Sequence, residues 1–328
     1  MSRIPFDFGP FDSVAALSRG DFLRAAGKTF GVVAAASALG PMLSGQAFAG
    51  AAPALATRPI PKSKTGETIP VIGLGTRAMS LKDPKAVAGQ GDVIKTLLEG
   101  GGRVIDTAAG YTGGDSEDVI GEALQKNNLR KNAFIVTKLG ERGKQAGIES
   151  IENSFKQLRT DVVDVFFVHN MIDIETQLPT LEEYKAKGKI RYIGITDTGD
   201  NQDALIKYLD RLDFIEFAYA ADYRNAESRL LPAAMDKRVA TLIALPLGRG
   251  RALNAVKGQE VPQWAKEELG VRSFAQMLLK FVVGHPAVTA AIPSTLNPGH
   301  MAENLDAGRG SIPDAKQREK IGEIWKNA

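Results

Sequence analysis

The chain has 328 residues, 44% of them hydrophobic and 24% charged, a composition that fits a globular enzyme-sized unit and excludes a disordered or collagen-like one. Lys and Arg number 41 against 38 Asp and Glu, intermixed for a net charge of +3, so no basic stripe marks a nucleic-acid face and nucleic acid is not an expected partner. With no cysteine, disulfides, thiolate metal sites and Cys nucleophiles are excluded.

The first element in chain order is a segment unlike the rest. Arg3, Arg19, Arg24 and Lys28 precede an uncharged Ala/Gly-rich stretch from Thr29 to Thr57. Ala47-Phe48-Ala49 matches a small-x-small cleavage site, and Ala54-Leu55-Ala56 is a second one. This three-part plan reads as an export signal, with an uncleaved anchor or a disordered tail as its other readings, and residues 1–56 are assigned as signal peptide and linker. Ser18-Arg19-Gly20-Asp21-Phe22-Leu23-Arg24 resembles a twin-arginine signal with Gly20 where a second Arg is usual. The expectation is export to the periplasm, or a cytoplasmic location if the signal does not function. The core is weakly apolar and broken by Pro41, so no stable membrane insertion is expected after cleavage.

Residues 57–328 carry a different rhythm. Arg58–Thr76 reads as a hairpin turning at Thr65-Gly66 and running into a first strand, Val71–Gly75. Further strands are expected at Arg103–Thr107, Phe134–Lys138, Val162–His169, Ile190–Thr196, Phe214–Tyr219, Val239–Pro246 and Val288–Pro293. Helical patterns lie between them: Asp92–Glu99, Ser116–Lys126, Ile148–Leu158, Gln202–Leu212, Ala226–Lys237 and Ser273–Val283. Pro262–Leu269 reads as an extra helix, Pro313–Asn327 as a terminal one, and Met171–Pro179 as a loop. Short apolar strands alternating with helices argue for parallel βαβ units, and eight of them for a closed (β/α)8 TIM barrel of the α/β class with an N-terminal β-hairpin.

In such a barrel chemistry gathers at the C-terminal strand ends. Asp106, Lys138 and His169 each end an expected strand, and Tyr111 lies in the loop after Asp106. A free Tyr is a poor acid at neutral pH; a nearby ammonium lowers its pKa, and a carboxylate keeps a buried ammonium charged. Lys138 and Asp106 can play these parts, while His169 can hydrogen-bond a carbonyl oxygen beside the Tyr111 hydroxyl. Together the four suit proton delivery to an oxygen as a hydride reaches carbon. Each also has a plainer reading: Asp106 as a helix cap, Tyr111 as a loop aromatic, Lys138 as a solvated rim charge, His169 as a core imidazole. Only three histidines occur, His169, His285 and His300, with no two at ligand spacing, so no metal site is expected.

Gly102 to Tyr111 (GRVIDTAAGY), Ser116-Glu117, Gly121-Glu122-Ala123-Leu124, Val136-Thr137-Lys138 and Val168-His169-Asn170 together resemble the aldo-keto reductases. Ile292-Pro293-Ser294-Thr295 and His300-Met301-Ala302-Glu303-Asn304 resemble that family's C-terminal cofactor signature. The resemblance implies an NAD(P)-dependent oxidoreductase acting on a small carbonyl compound, with NADP as cofactor, NAD as a second option, and Asp106, Tyr111, Lys138 and His169 as the catalytic tetrad. It also implies that Gly75, Thr76, Leu247, Arg249, Ser294, Thr295, His300, Glu303 and Asn304 line the cofactor channel. At the ends of strands five and six the family usually offers Ser-Asn and Gln to the nicotinamide; here stand Thr196-Asp197 and Glu216, with salt bridges to neighbouring bases as their other reading. Two carboxylates at the ring are expected to favour oxidised cofactor, and Ser294-Thr295 with His300 to weaken discrimination between NADPH and NADH. Tyr219 either stacks near the ring or fills the barrel mouth. The Leu245–Arg251 loop resembles one that covers the cofactor pyrophosphate, where glycine N–H groups and Arg suit phosphate; its other reading is an ordinary flexible βα loop. The other functional class open to this chain is a cofactor-binding redox sensor with little turnover.

Overall fold

The computed structural model describes residues 53–81 and 84–326. The export signal expected within residues 1–56 falls almost wholly on 1–52, outside the described residues. A hairpin opens the described chain, with β1 (Thr57–Pro59) antiparallel to β2 (Thr68–Pro70). Gly66 sits in its loop at φ +71°, a conformation glycine adopts without a Cβ clash.

Eight parallel strands follow: β3 (Leu74–Gly75), β4 (Val104–Asp106), β5 (Phe134–Leu139), β6 (Val163–Val168), β7 (Ile190–Asp197), β8 (Phe214–Ala218), β9 (Ala240–Ala244) and β10 (Ala290–Ala291). They pair in sequence order from β3 to β10. Closure comes from parallel bridges Ile72↔Ala291 and Gly75↔Ser294, which join the first strand to the last. Strand alternation separates two apolar layers. Val104, Phe134, Val136, Val165, Phe167, Phe214 and Leu242 fill the barrel interior, while Ile105, Ile135, Phe166, Ile193, Ile215 and Ile243 pack outward under the helices. Ile60 and Ile69 of the hairpin join the interior cluster and so plug its N-terminal end.

The helices are α1 (Pro84–Glu99), α2 (Asp115–Lys126), α3 (Lys144–Gln157), α4 (Ile174–Ala186), α5 (Gln202–Tyr208), α6 (Leu230–Asp236), α7 (Arg251–Ala255), α8 (Gln263–Leu269), α9 (Phe274–Val283), α10 (Pro298–Ala307) and α11 (Ala315–Lys326). One expectation fails outright: Met171–Pro179 is not a loop, because α4 begins at Ile174 and carries Pro179 inside it. The long strand expected over Val288–Pro293 is pared to Ala290–Ala291. Pro53 and Ala56 are already tied to the barrel, through Arg309 Nη1 to Pro53 O at 2.7 Å and Ala56 N to Gly308 O at 2.8 Å. No helix among the described residues is long and apolar enough to cross a membrane.

Candidate active site

Lys138 organises the site. In β5, Phe134 and Val136 face the barrel interior, so the same alternation turns Lys138 inward, where it is completely buried. It is thus no solvated rim charge. Its Nζ donates to Asp106 Oδ1 at 2.6 Å, to Asp106 Oδ2 at 2.5 Å and to the Thr107 carbonyl at 2.9 Å. Glu216 adds a second carboxylate, with Oε2 3.2 Å from Nζ, in ion-pair range but not aligned for a hydrogen bond. Glu216 reaches Lys138 from β8, across the barrel, by the inward alternation that also buries Phe214. Burial opposes charge on Lys138, but Asp106 and Glu216 outweigh it and hold the ammonium above its ordinary range. Burial pushes the Asp106 carboxyl up, and Lys138 pulls it back only in part. Glu216 is raised well above the ordinary carboxyl range, by burial first and by Asp106 second. One ammonium therefore serves two carboxylates, and Glu216 is the one that retains a proton most readily.

Tyr111 enters from the short turn Tyr111–Gly114 after β4, where Thr112 and Gly113 take left-handed backbone angles. Lys138 Nζ lies 5.3 Å from its ring centroid, and the His169 ring meets it edge-on, with centroids 5.9 Å apart at 76°. The ammonium does not lower the Tyr111 pKa below that of a free tyrosine, as the sequence suggested. Burial pushes it up to about 12; Lys138 draws it down, and Asp106 and Glu216 push it back up. The missing element in that expectation was burial of the phenol, to which the two carboxylates add. His169 follows β6 in a 3-10 turn, and burial, helped by Lys138 and Arg77, holds its imidazole down to about 4. It is a neutral ring at physiological pH, free to donate one N–H to an oxygen.

A layer of hydroxyls fixes these groups from behind. Thr76 Oγ1 donates to the Asp106 carbonyl at 2.9 Å and lies 2.8 Å from Ser116 Oγ, which is 2.9 Å from Thr107 Oγ1. Thr137 Oγ1 donates to Glu117 Oε1 at 2.5 Å. Glu117 is buried in the first turn of α2, and that burial lifts its carboxyl to about 7. Sequence reasoning quoted Ser116-Glu117 as part of a signature without a role; here they join α2 to β4 and β5.

The residues expected to hold cofactor lie at or after the C-terminal ends of strands. Gly75 and Ser294 pair directly by the closing bridge. Thr196 Oγ1 accepts from Asn170 N at 3.0 Å, which binds the end of β7 to the His169 turn. Asp197 curls onto its own loop and accepts from Gly199 N at 2.8 Å. After β9 come Leu247 and a run of left-handed residues, Gly248 (φ +59°), Arg249 (+55°) and Gly250 (+85°). Arg249 is exposed and has no ion pair among the described residues, whereas Arg251 pairs with Asp222 at 3.0 Å. Asn297 caps α10 by accepting from Gly299 N and His300 N. On that helix His300 is exposed, Glu303 half-buried and Asn304 buried. Tyr219 is not at the mouth: its hydroxyl bonds Glu227 and Arg318, and its ring packs on Phe281 outside the strands. Arg77, which sequence reasoning passed over, follows Thr76 at the rim and acts on His169; its place two residues after Gly75 was the available signal.

The Aldo/keto reductase family profile matches residues 71–326. Methylglyoxal reductase YeaE of Escherichia coli K12 is 29% identical over 245 residues, 72% of this chain and 84% of that protein. Aldo-keto reductase YhdN of Bacillus subtilis is 31% identical over 172 residues, covering 48% of this chain and 52% of its own length. A Klebsiella pneumoniae aldo/keto reductase solved with NADP and acetate superposes with a TM-score of 0.70 at 25% identity, over 80% of this chain and 93% of that one. With the family profile spanning nearly the whole barrel, the chain belongs to the aldo/keto reductase family.

Proposed function

We propose that the protein is an NAD(P)H-dependent carbonyl reductase that converts a small aldehyde or ketone to its alcohol, or runs the reverse, with Tyr111 as the acid and base. The observation that carries this reading is the buried Asp106–Lys138 pair set beside Tyr111, with a neutral imidazole at the ring edge. Tyr111 holds its proton at neutral pH and has it to give.

The rim residues fit a dinucleotide. Arg249 is an exposed cation without an ion pair among the described residues, in a left-handed stretch of backbone suited to phosphate, and Ser294, Thr295 and His300 add donors after the last strand. Thr196 and Asp197 end β7, where Thr196 bonds the turn that carries His169, and this is the side assigned to the nicotinamide in our reading. Reduced nicotinamide held by these residues would supply the hydride to the carbonyl carbon. His169 donates an N–H to the carbonyl oxygen and aims it at Tyr111 Oη. Tyr111 passes its proton to that oxygen, Lys138 steadies the tyrosinate left behind, and solvent returns the proton. Relatives named methylglyoxal reductases support small aldehydes as the substrate class.

Purified protein mixed with NADPH or NADH and a panel of small aldehydes, methylglyoxal included, should consume cofactor and yield the alcohol. Cofactor binding with no turnover across the panel would replace this reading with the sensor one. Export through residues 1–56 is part of the proposal. The bonds at Pro53 and Ala56 favour cleavage after Ala49 over cleavage after Ala56, which would strip them away. The N-terminal sequence of the secreted protein tests it.

A further inference from the structure

At the position where the family usually offers Gln, this chain has Glu216, and its carboxyl turns onto Lys138. We propose that Glu216 is a positioning residue for proton delivery: by sharing Lys138 with Asp106 it withdraws the ammonium's charge from the Tyr111 hydroxyl and keeps that hydroxyl protonated over a wider range of pH. The inference rests on the carbonyl-reductase reading for its catalytic meaning, but its physical core does not.

An ammonium has three N–H donors. The two Asp106 oxygens and the Thr107 carbonyl accept from Lys138 Nζ at 2.5–2.9 Å, and Glu216 Oε2 stands 3.2 Å away as a second ion-pair partner. A Lys paired with one carboxylate leaves part of its field for a neighbouring phenol; a Lys between two carboxylates leaves less. Glu216 is 3% exposed, so water screens little of this, and its Oε2 has no aligned hydrogen-bond donor. The charged and titratable groups facing the cluster come from every neighbouring element. They are Asp106 on β4, Lys138 on β5, Tyr111 in the turn after β4, His169 at the end of β6, Arg77 after β3, and Glu117 on α2 behind Thr137. The strands flanking β8 place Thr196 and Leu242 opposite Glu216, and neither titrates. Burial, Asp106 and Lys138 together set the Glu216 proton, with burial and Asp106 favouring its retention. As Glu216 ionises with rising pH, the cluster gains a negative charge just where a tyrosinate has to form. The two ionisations oppose each other, which pushes tyrosinate formation to still higher pH.

Glu216→Gln keeps the shape and removes the charge. The first measurement is a tyrosinate ultraviolet titration of cofactor-free protein, each protein read as a difference from its own Tyr111→Phe counterpart. The Glu216→Gln midpoint should fall below wild type by about one pH unit or more. The second is the pH profile of kcat/KM for alcohol oxidation, whose acidic limb should move to lower pH by the same amount. A merely structural role for Glu216 would lower activity without moving either midpoint, and unmoved midpoints in a folded, active Glu216→Gln protein overturn the proposal. The two readings fail separately. Absence of any carbonyl turnover defeats the reductase reading while leaving the titration to decide the role of Glu216.

Discussion

Around Lys138 the charged groups are buried and occupy one another; around Arg249 and His300 they stand in solvent. Asp106, Lys138, Glu216 and Glu117 are all within a few per cent of complete burial, bonded to each other or to Thr107 and Thr137. Arg249, Ser294 and His300 are exposed, on a left-handed loop, a strand end and a helix start. The proton half of the site is therefore assembled by folding itself, at the cost of holding carboxylates out of water. The proposed cofactor half is left for its ligand to organise. Changes in the first region should alter the chemical step and the pH dependence of stability, and changes in the second should alter affinity alone.

The largest expected break lies in the first region. Lys138→Met should lower aldehyde reduction about 10²- to 10⁴-fold at saturating cofactor, measured by single-turnover kinetics; a loss under about tenfold would remove Lys138 from proton delivery. Next comes Glu117→Gln. The Glu117 carboxyl is lifted to about 7 in the fold against an ordinary 4.5, so the folded protein binds the extra proton between those values. Wild-type stability from this group is thus full below pH 4.5 and is lost as pH rises through 7. The variant does not titrate there, so it should gain on wild type as pH rises from about 4.5 to 8, by roughly 3 kcal/mol at most. Chemical denaturation at the two pH values checks this, and a pH-independent difference would contradict it.

In the second region the effects are smaller. Arg249→Ala should weaken cofactor binding about tenfold, the loss of one charge-assisted phosphate contact, with the rate at saturating cofactor unchanged. A fall in that saturated rate would mean the two halves are coupled. His300→Arg should raise the preference for NADPH over NADH by only about threefold, since an exposed cation on phosphate is screened. Paired cofactor titrations read it directly.

How far the sequence reached follows the same division. Alternation along β4 and β5 is enough to turn Asp106 and Lys138 inward, and both lie as the strand pattern implied. The signature Ser116-Glu117 was visible, but not its task, because a helix face gives no sign of which strand hydroxyl it meets. Glu216 could be placed on an inward strand position, yet its partner sits three strands away along the sheet, and nearest-neighbour patterns do not reach across a barrel. Helix α4 was hidden by Pro179 and by a buried face that includes Gln177 and Thr180 among Leu178 and Leu181. Strand β10 is only two residues long, although its flanks stay bonded to the neighbouring strands of the barrel. Thr289 Oγ1 accepts from Thr241 N at 3.0 Å, and Gly75 N donates to the Pro293 carbonyl at 3.0 Å.

The most direct test of a proton half built apart from a cofactor half uses one variant and two readings. In Tyr111→Phe, cofactor affinity by fluorescence titration and aldehyde reduction under single-turnover conditions are measured on the same preparation. Cofactor affinity should stay within about twofold of wild type, while reduction falls by about 10²- to 10⁴-fold. Reduction that survives the loss of the hydroxyl, or an affinity that falls in step with the rate, would contradict the account.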